Sequence, residues 1–163
     1  MLILATKSST KRSLMDRNGL EYIAMPADVD ECSIENAHPS LNAKETVILL
    51  ARAKAKKLSL VYPNEFIIAA DTFGVLPDGS RLHKAKTTEE TMKMCLSQSG
   101  QTVTIYTVIC VAHRSKFHTD TTETKITYTN FGRTTLEKFG HVWQAQFGVM
   151  RHSVSMLMRP DSR

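Results

Sequence analysis

Apolar residues in this chain follow two rhythms, one suited to strands and one to helices. Leu2–Ala5 is a short apolar run that predicts a strand. A hydroxyl-rich turn follows, where Ser8 or Ser9 can cap a helix carrying Leu14 and Met15, and Asn18-Gly19 ends it. Glu21–Ala24 reads as a second strand, and Pro26 to Pro39 as a polar loop containing Asp28, Asp30 and Glu31. From about Leu41 to Leu60 the spacing is helical, with Val47, Leu50, Ala51, Lys54, Ala55 and Leu58 on one stripe. Phe66–Ala70 is continuously apolar and predicts a strand buried on both faces, continued by Phe73–Leu76 and then a Pro77-Asp78-Gly79-Ser80 turn. Thr87 and Thr88 open another helix, with Met92, Cys95 and Leu96 on its face and Ser99-Gly100 at its end. Val103–Ala112 and Thr122–Tyr128 read as two long strands that a hairpin would join. Thr134–Trp143 fits a helix, and Phe147–Met158 is apolar without a clear period.

Strands and helices mixed in this way predict one compact α/β domain over residues 1–163, with two lobes around a cleft as one arrangement. The length of 163 residues suits one domain burying roughly 70% of its unfolded surface. Hydrophobic content of 42% and charged content of 23% are those of a globular protein. No apolar run approaches the ~20 residues that span a bilayer, so no membrane partner is expected. The short apolar stretch at the N-terminus has no basic region before it, so a signal peptide is not expected and a cytoplasmic location is. Cys32, Cys95 and Cys110 are odd in number and widely spaced, which fits reduced thiols better than disulfides. The six histidines lack metal-binding spacing. A net charge of +5 favours anionic partners, but without a basic stripe interleaved with aromatics nucleic acid is not expected among them.

The candidate chemistry starts from Asp71, the carboxylate that stops the apolar run. Burying an unpaired acid costs several kcal/mol, so Asp71 is expected at the strand's end, facing a cleft. Lys54 falls within the apolar stripe of its helix rather than opposite it, either snorkelling over apolar surface or serving a functional role among the cations that could converge on the cleft. Thr6, Ser8, Lys11 and Arg12 surround a helix start whose backbone amides suit phosphate. No G-x-x-x-x-G-K is present, which excludes a Walker-type loop. Asp30 and Glu31 lie in a loop able to return towards Asp71, and two or three carboxylates with phosphate are the usual way of holding Mg²⁺. Lys84 follows the Asp78-Gly79 turn and joins the group only if that turn folds back beside Asp71.

In this order the pieces resemble the Maf family of nucleoside triphosphate pyrophosphatases, which shares a fold with the inosine triphosphate pyrophosphatases. Ala5 to Arg12 stands where the family has an A-S-x-S-P-R-R turn, Asp30-Glu31 matches its acidic pair, and Leu50-Ala51-Arg52-Ala53-Lys54-Ala55 its L-A-x-x-K-A helix. Ala70-Asp71-Thr72 matches A-D-T, His83-Lys84-Ala85 stands for G-K-P, and Leu96-Ser97-Gln98-Ser99-Gly100 for L-S-x-S-G. The turn departs from the pattern at Ser9 and Thr10, leaving Lys11 for the second arginine. The resemblance covers about residues 2–128 and carries nothing over from the divergent 129–163.

The resemblance implies a mixed twisted sheet flanked by helices, with two lobes around a nucleotide-binding cleft. It implies hydrolysis of modified or non-standard nucleoside triphosphates to monophosphate and pyrophosphate, a house-cleaning role, with Mg²⁺ or Mn²⁺ as cofactor and a homodimer as the common assembly. Asp71, with Glu31 and Asp30, would hold the metal or orient the attacking water. Lys54 and Lys84 would act with Asp71 in catalysis, and Thr6, Ser8, Lys11 and Arg12 would bind the substrate's phosphates. The altered turn and tail also leave open a degenerate relative that binds nucleotide without hydrolysing it. Nucleic-acid binding driven by the positive charge is a third reading, and it requires a steep salt dependence.

Overall fold

Ile3 sits in the middle of a strand with a neighbour on each side. In the computed structural model, which describes residues 1–83, 85 and 87–138, β1 (Leu2–Leu4) runs parallel to both β2 (Ile23–Ala24) and β3 (Phe66–Val75). Ile3 lies opposite Ile23 on one side and Ile67 on the other. The sheet order is β2-β1-β3-β5-β6, with β4 paired to β3 off that path. Helix α1 (Ser9–Arg17) starts at Ser8, whose hydroxyl accepts the Lys11 amide at 3.5 Å, and stops at Asn18, before Gly19 at φ +64°. Met15 is buried on this helix, whereas Leu14 is exposed.

The expected polar loop contains a short helix, α2 (Glu31–Asn36). None of its residues is buried, so it leaves no apolar period to read; its stability starts at Asp30, whose side chain accepts both the Ser33 amide at 3.0 Å and the Ser33 hydroxyl at 2.7 Å. Helix α3 (Ala43–Val61) matches its stripe, and Asn42 and Glu45 form a reciprocal capping box at its start. Val47, Ala51, Ala55 and Leu58 pack in one cluster with Ile3, Ile67 and Ala69 of the sheet. Full burial of Val47 and Leu58 contributes about 2 kcal/mol each by apolar transfer.

β3 corrects the expectation for Asp71. The strand is continuous to Val75, so Asp71 lies inside it rather than at its end. Exposure along β3 also alternates in its first residues, with Ile67 and Ala69 buried and Phe66 exposed. Pro77 to Ser80 forms the expected turn, with Gly79 at φ +86°, and returns the chain as β4 (Arg81–Leu82), antiparallel to β3.

Helix α4 (Thr88–Gln98) begins at Thr87, whose hydroxyl accepts the Glu90 amide at 3.1 Å. β5 (Thr102–His113) and β6 (Lys116–Thr127) form a hairpin, and β6 starts six residues before the expected Thr122. Its turn consists of Arg114 and Ser115, both at positive φ, the pattern of a two-residue type I′ turn built without the usual Asn or Gly. Helix α5 (Arg133–Lys138) covers the first part of the expected Thr134–Trp143 helix; Phe147–Met158 lies outside the described residues.

The chain forms two compact units. One comprises Met1–Phe73 and Tyr106–Glu123 and contains the cluster of Ile3, Val47 and Ile67; the other comprises Gly74–Ile105 and the described residues from Thr124 onward. In the second unit Val75, Cys95, Val103, Tyr128 and Leu136 are buried. Burial pushes the Cys95 thiol up to about 11, which keeps it protonated at neutral pH. All three cysteines are free.

Candidate active site

Lys54 answers the question its sequence position raises. Its stem lies along the buried stripe of α3, and its ammonium ends 2.7 Å from Asp71 Oδ2 and 2.8 Å from Glu31 Oε1. The Lys54 and Asp71 side chains are 14% and 13% exposed, so this pair is largely removed from water. An acid can stand inside β3 because α3 delivers a cation to it. Asp71 Oδ1 accepts a second hydrogen bond, from the Thr72 amide at 3.0 Å. Burial alone would lower the Lys54 pKa; the charge and hydrogen bond of Asp71, joined by those of Glu31, outweigh it and leave the ammonium above its ordinary value.

Glu31 reaches Lys54 from the first residue of α2. Asp30, one residue earlier, has both carboxylate oxygens on Ser33, so its observed role is the helix cap. In the first turn, Thr6 is buried and its hydroxyl oxygen accepts the Ser8 amide at 3.0 Å. The Lys11 ammonium donates to the carbonyl of Ala70, the residue before Asp71. Arg12 is exposed on α1. Thus Lys54, Asp71 and Glu31 form one ionic group, Lys11 anchors beside it, and Thr6 and Ser8 shape the turn leading to Lys11. Lys84 lies outside the described residues.

Two features went unread in the sequence. Thr72 helps fix Asp71 through its amide, and its hydroxyl lies 3.4 Å from that of Thr107. Asp28 is held by two lysines: its carboxylate meets Lys7 Nζ at 2.6 Å, and its carbonyl accepts from Lys57 Nζ at 2.6 Å. A polar residue in a polar loop gives no periodic signal; only the left-handed backbone at Asp28 (φ +45°) marks it, and that is a structural observation. Among the described residues, no group of three His, Cys, Asp or Glu side chains is arranged to hold a metal ion, and no helix is long and apolar enough to cross a membrane.

The family model described as Maf-like protein matches residues 1–147. The chain belongs to the Maf family. The match passes residue 128, where the motif resemblance stops, and takes in α5. This Maf chain is 28% identical over 138 residues to a Corynebacterium diphtheriae protein named nucleoside triphosphate pyrophosphatase, covering 85% of this chain and 69% of the relative. It is 34% identical over 137 residues to a Pyrococcus abyssi protein named dTTP/UTP pyrophosphatase, covering 84% and 70%. A third relative, from Alkalilimnicola ehrlichii, is named 7-methyl-GTP pyrophosphatase and is 32% identical over 141 residues, covering 85% and 68%. Among solved structures, the Staphylococcus aureus Ham1 protein aligns with a TM-score of 0.48 at 15% identity, over 79% of this Maf chain and 72% of that one.

Proposed function

We propose that this Maf protein hydrolyses nucleoside triphosphates to the nucleoside monophosphate and pyrophosphate, removing modified or non-standard nucleotides. The observation that carries the reading is the Lys54 ammonium held between Asp71 and Glu31 in a chain whose named relatives are pyrophosphatases. In the reaction, water adds to the α-phosphorus as the bond to the bridging oxygen breaks, and pyrophosphate leaves with that oxygen. Asp71, fixed by Lys54 and the Thr72 amide, orients the water and accepts its proton. Lys54, with Lys11, Arg12 and Lys84, neutralises charge on the triphosphate and on the departing pyrophosphate. Thr6 and Ser8 contribute hydroxyl donors to the phosphate oxygens, their backbone amides being engaged by the Leu4 carbonyl and the Thr6 hydroxyl oxygen.

The reading extends to a Mg²⁺ or Mn²⁺ cofactor, a cytoplasmic location and a homodimer, all drawn from the family resemblance. The donor chemistry fits a hard cation: Asp71 and Glu31, with Asp30 beside them, offer only oxygens, and two carboxylates suffice for an ion that keeps waters and takes substrate phosphates. When bound, the ion would supply neutralisation of phosphate charge and a more acidic water. Hydrolysis in ¹⁸O-labelled water tests the bond broken. Label in the monophosphate alone is the expected result; label in pyrophosphate, or release of diphosphate and inorganic phosphate, contradicts attack at the α-phosphorus.

A further inference from the structure

Glu31 is the most exposed member of the ionic group, at 48%, and α2 behind it has no buried residue. Packing of α2 is slight, so where Glu31 stands depends also on the segment that leads into the helix. The segment entering the helix is tied down one residue at a time. The Met25 amide donates to the Leu4 carbonyl at 2.9 Å, Ala27 is buried, and Val29 packs against the cluster beneath the sheet. Between those two anchors Asp28 turns left-handed, a conformation Asp tolerates better than most residues, and this turn sets the direction in which the chain enters α2. Two lysines hold it: Lys7 grips the carboxylate from the first turn, and Lys57 grips the carbonyl from α3, three residues after Lys54.

We infer that Asp28 is a positioning residue for the reaction: the Lys7–Asp28–Lys57 clamp joins the first turn and α3 to the entry of α2 and so holds Glu31 on Lys54. The inference rests on the pyrophosphatase reading for its kinetic consequence, but the clamp itself is a statement about structure. Lys57 and Lys54 lie on successive turns of one helix, so the same rigid element fixes the clamp and the cation that Glu31 must meet. Only Val29 and Asp30 separate Asp28 from Glu31, too short a span to absorb a change of direction at the clamp. The hydrogen bond and charge of Lys7 also hold the Asp28 carboxyl below its ordinary pKa.

Asp28→Asn tests the charge without disturbing the backbone, because Asn also tolerates the left-handed region. Lys7→Met removes the partner instead. The two variants and their combination are compared with wild type, each also in a Glu31→Gln background. Each single change is expected to lower kcat about threefold with little change in KM, a size within the reach of an exposed ion pair. The double variant should fall no further than either single one, and the effect should vanish once Glu31 is Gln. Amide exchange at Ser33 and Ile34, whose N–H groups bond to Asp30, should accelerate in both single variants. Unchanged kcat, or a loss undiminished in the Glu31→Gln background, overturns the inference. So does a rise in KM for Lys7→Met paired with a fall for Asp28→Asn, which would make Lys7 a phosphate ligand and Asp28 its competitor. If wild type releases no pyrophosphate, the functional reading fails and exchange alone decides the clamp: faster exchange supports it and unchanged exchange overturns it.

Discussion

Lys54 and Asp71 bring opposite charges into surroundings largely removed from water. A lysine within an apolar stripe and a carboxylate closing an apolar run are each costly alone, and the structure resolves both by pairing them at 2.7 Å. Removing one partner restores the cost. Lys54→Met leaves Asp71 13% exposed without its cation and should destabilise the fold by roughly 2 kcal/mol, below the value for a fully buried pair because some water remains. Urea unfolding at neutral pH measures it; a loss under 0.5 kcal/mol would mean that solvent already screens the pair. The pH dependence has a definite sign. Because the folded-state pKa of Lys54 lies above its ordinary value, the pair's contribution is complete below the ordinary lysine pKa and is lost as pH rises through the raised one. The gap in stability between wild type and Lys54→Met should therefore stay level from neutral pH to about 10 and close only above it. Asp28 and Thr72 broke no such rule in the sequence, since polar residues in loops and on exposed strand positions are solvated wherever they point.

Elements whose stability comes from packing were legible, and those held by caps and turns were legible only where the capping residues stood out, as Ser8 of α1 and Thr87 of α4 did. The stripe of Val47, Leu50, Ala51, Ala55 and Leu58 predicted α3 because that face is buried. By contrast α2 buries nothing and depends on Asp30, and the start of β6 was hidden by exposed polar residues such as Lys116, His118 and Asp120. The hairpin itself was expected, but its turn was obscure, because Arg114 and Ser115 take a conformation that Asn and Gly usually mark. The end of α4 did carry its signal. Ser99 donates its hydroxyl to the Phe131 carbonyl at 2.6 Å and accepts the Phe131 amide at 2.7 Å, while Gly100 stands at φ +68°. A Cβ on Gly100 would meet Asn130 Oδ1 at 2.2 Å as well as strain the backbone. Gly100→Ala should cost about 1–2 kcal/mol, reduced if the Asn130 side chain swings away. Thermal unfolding of that variant checks the figure, and a neutral substitution would show that the turn relaxes freely.

At the scale of the molecule, the two apolar rhythms conveyed the α/β class, and the family resemblance implied the mixed sheet. The boundary between the two units leaves no mark in the sequence, because β3, β5 and β6 each run from one unit into the other without a linker, a glycine tract or a change in composition. The Maf family model matches residues 1–147, and the proposed reading assigns to the ionic group of Lys54, Asp71 and Glu31 the orienting of a water beside phosphate. The central claim is that this group performs pyrophosphate release. It is tested most directly by measuring release from a panel of standard and modified nucleoside triphosphates, with Mg²⁺ or Mn²⁺, by wild type and by Asp71→Asn. The account predicts turnover by wild type on at least one substrate and a loss of at least about a hundredfold in a folded Asp71→Asn variant, the scale of general-base catalysis. Undiminished release by that variant, or none from any substrate by folded wild type, would contradict it.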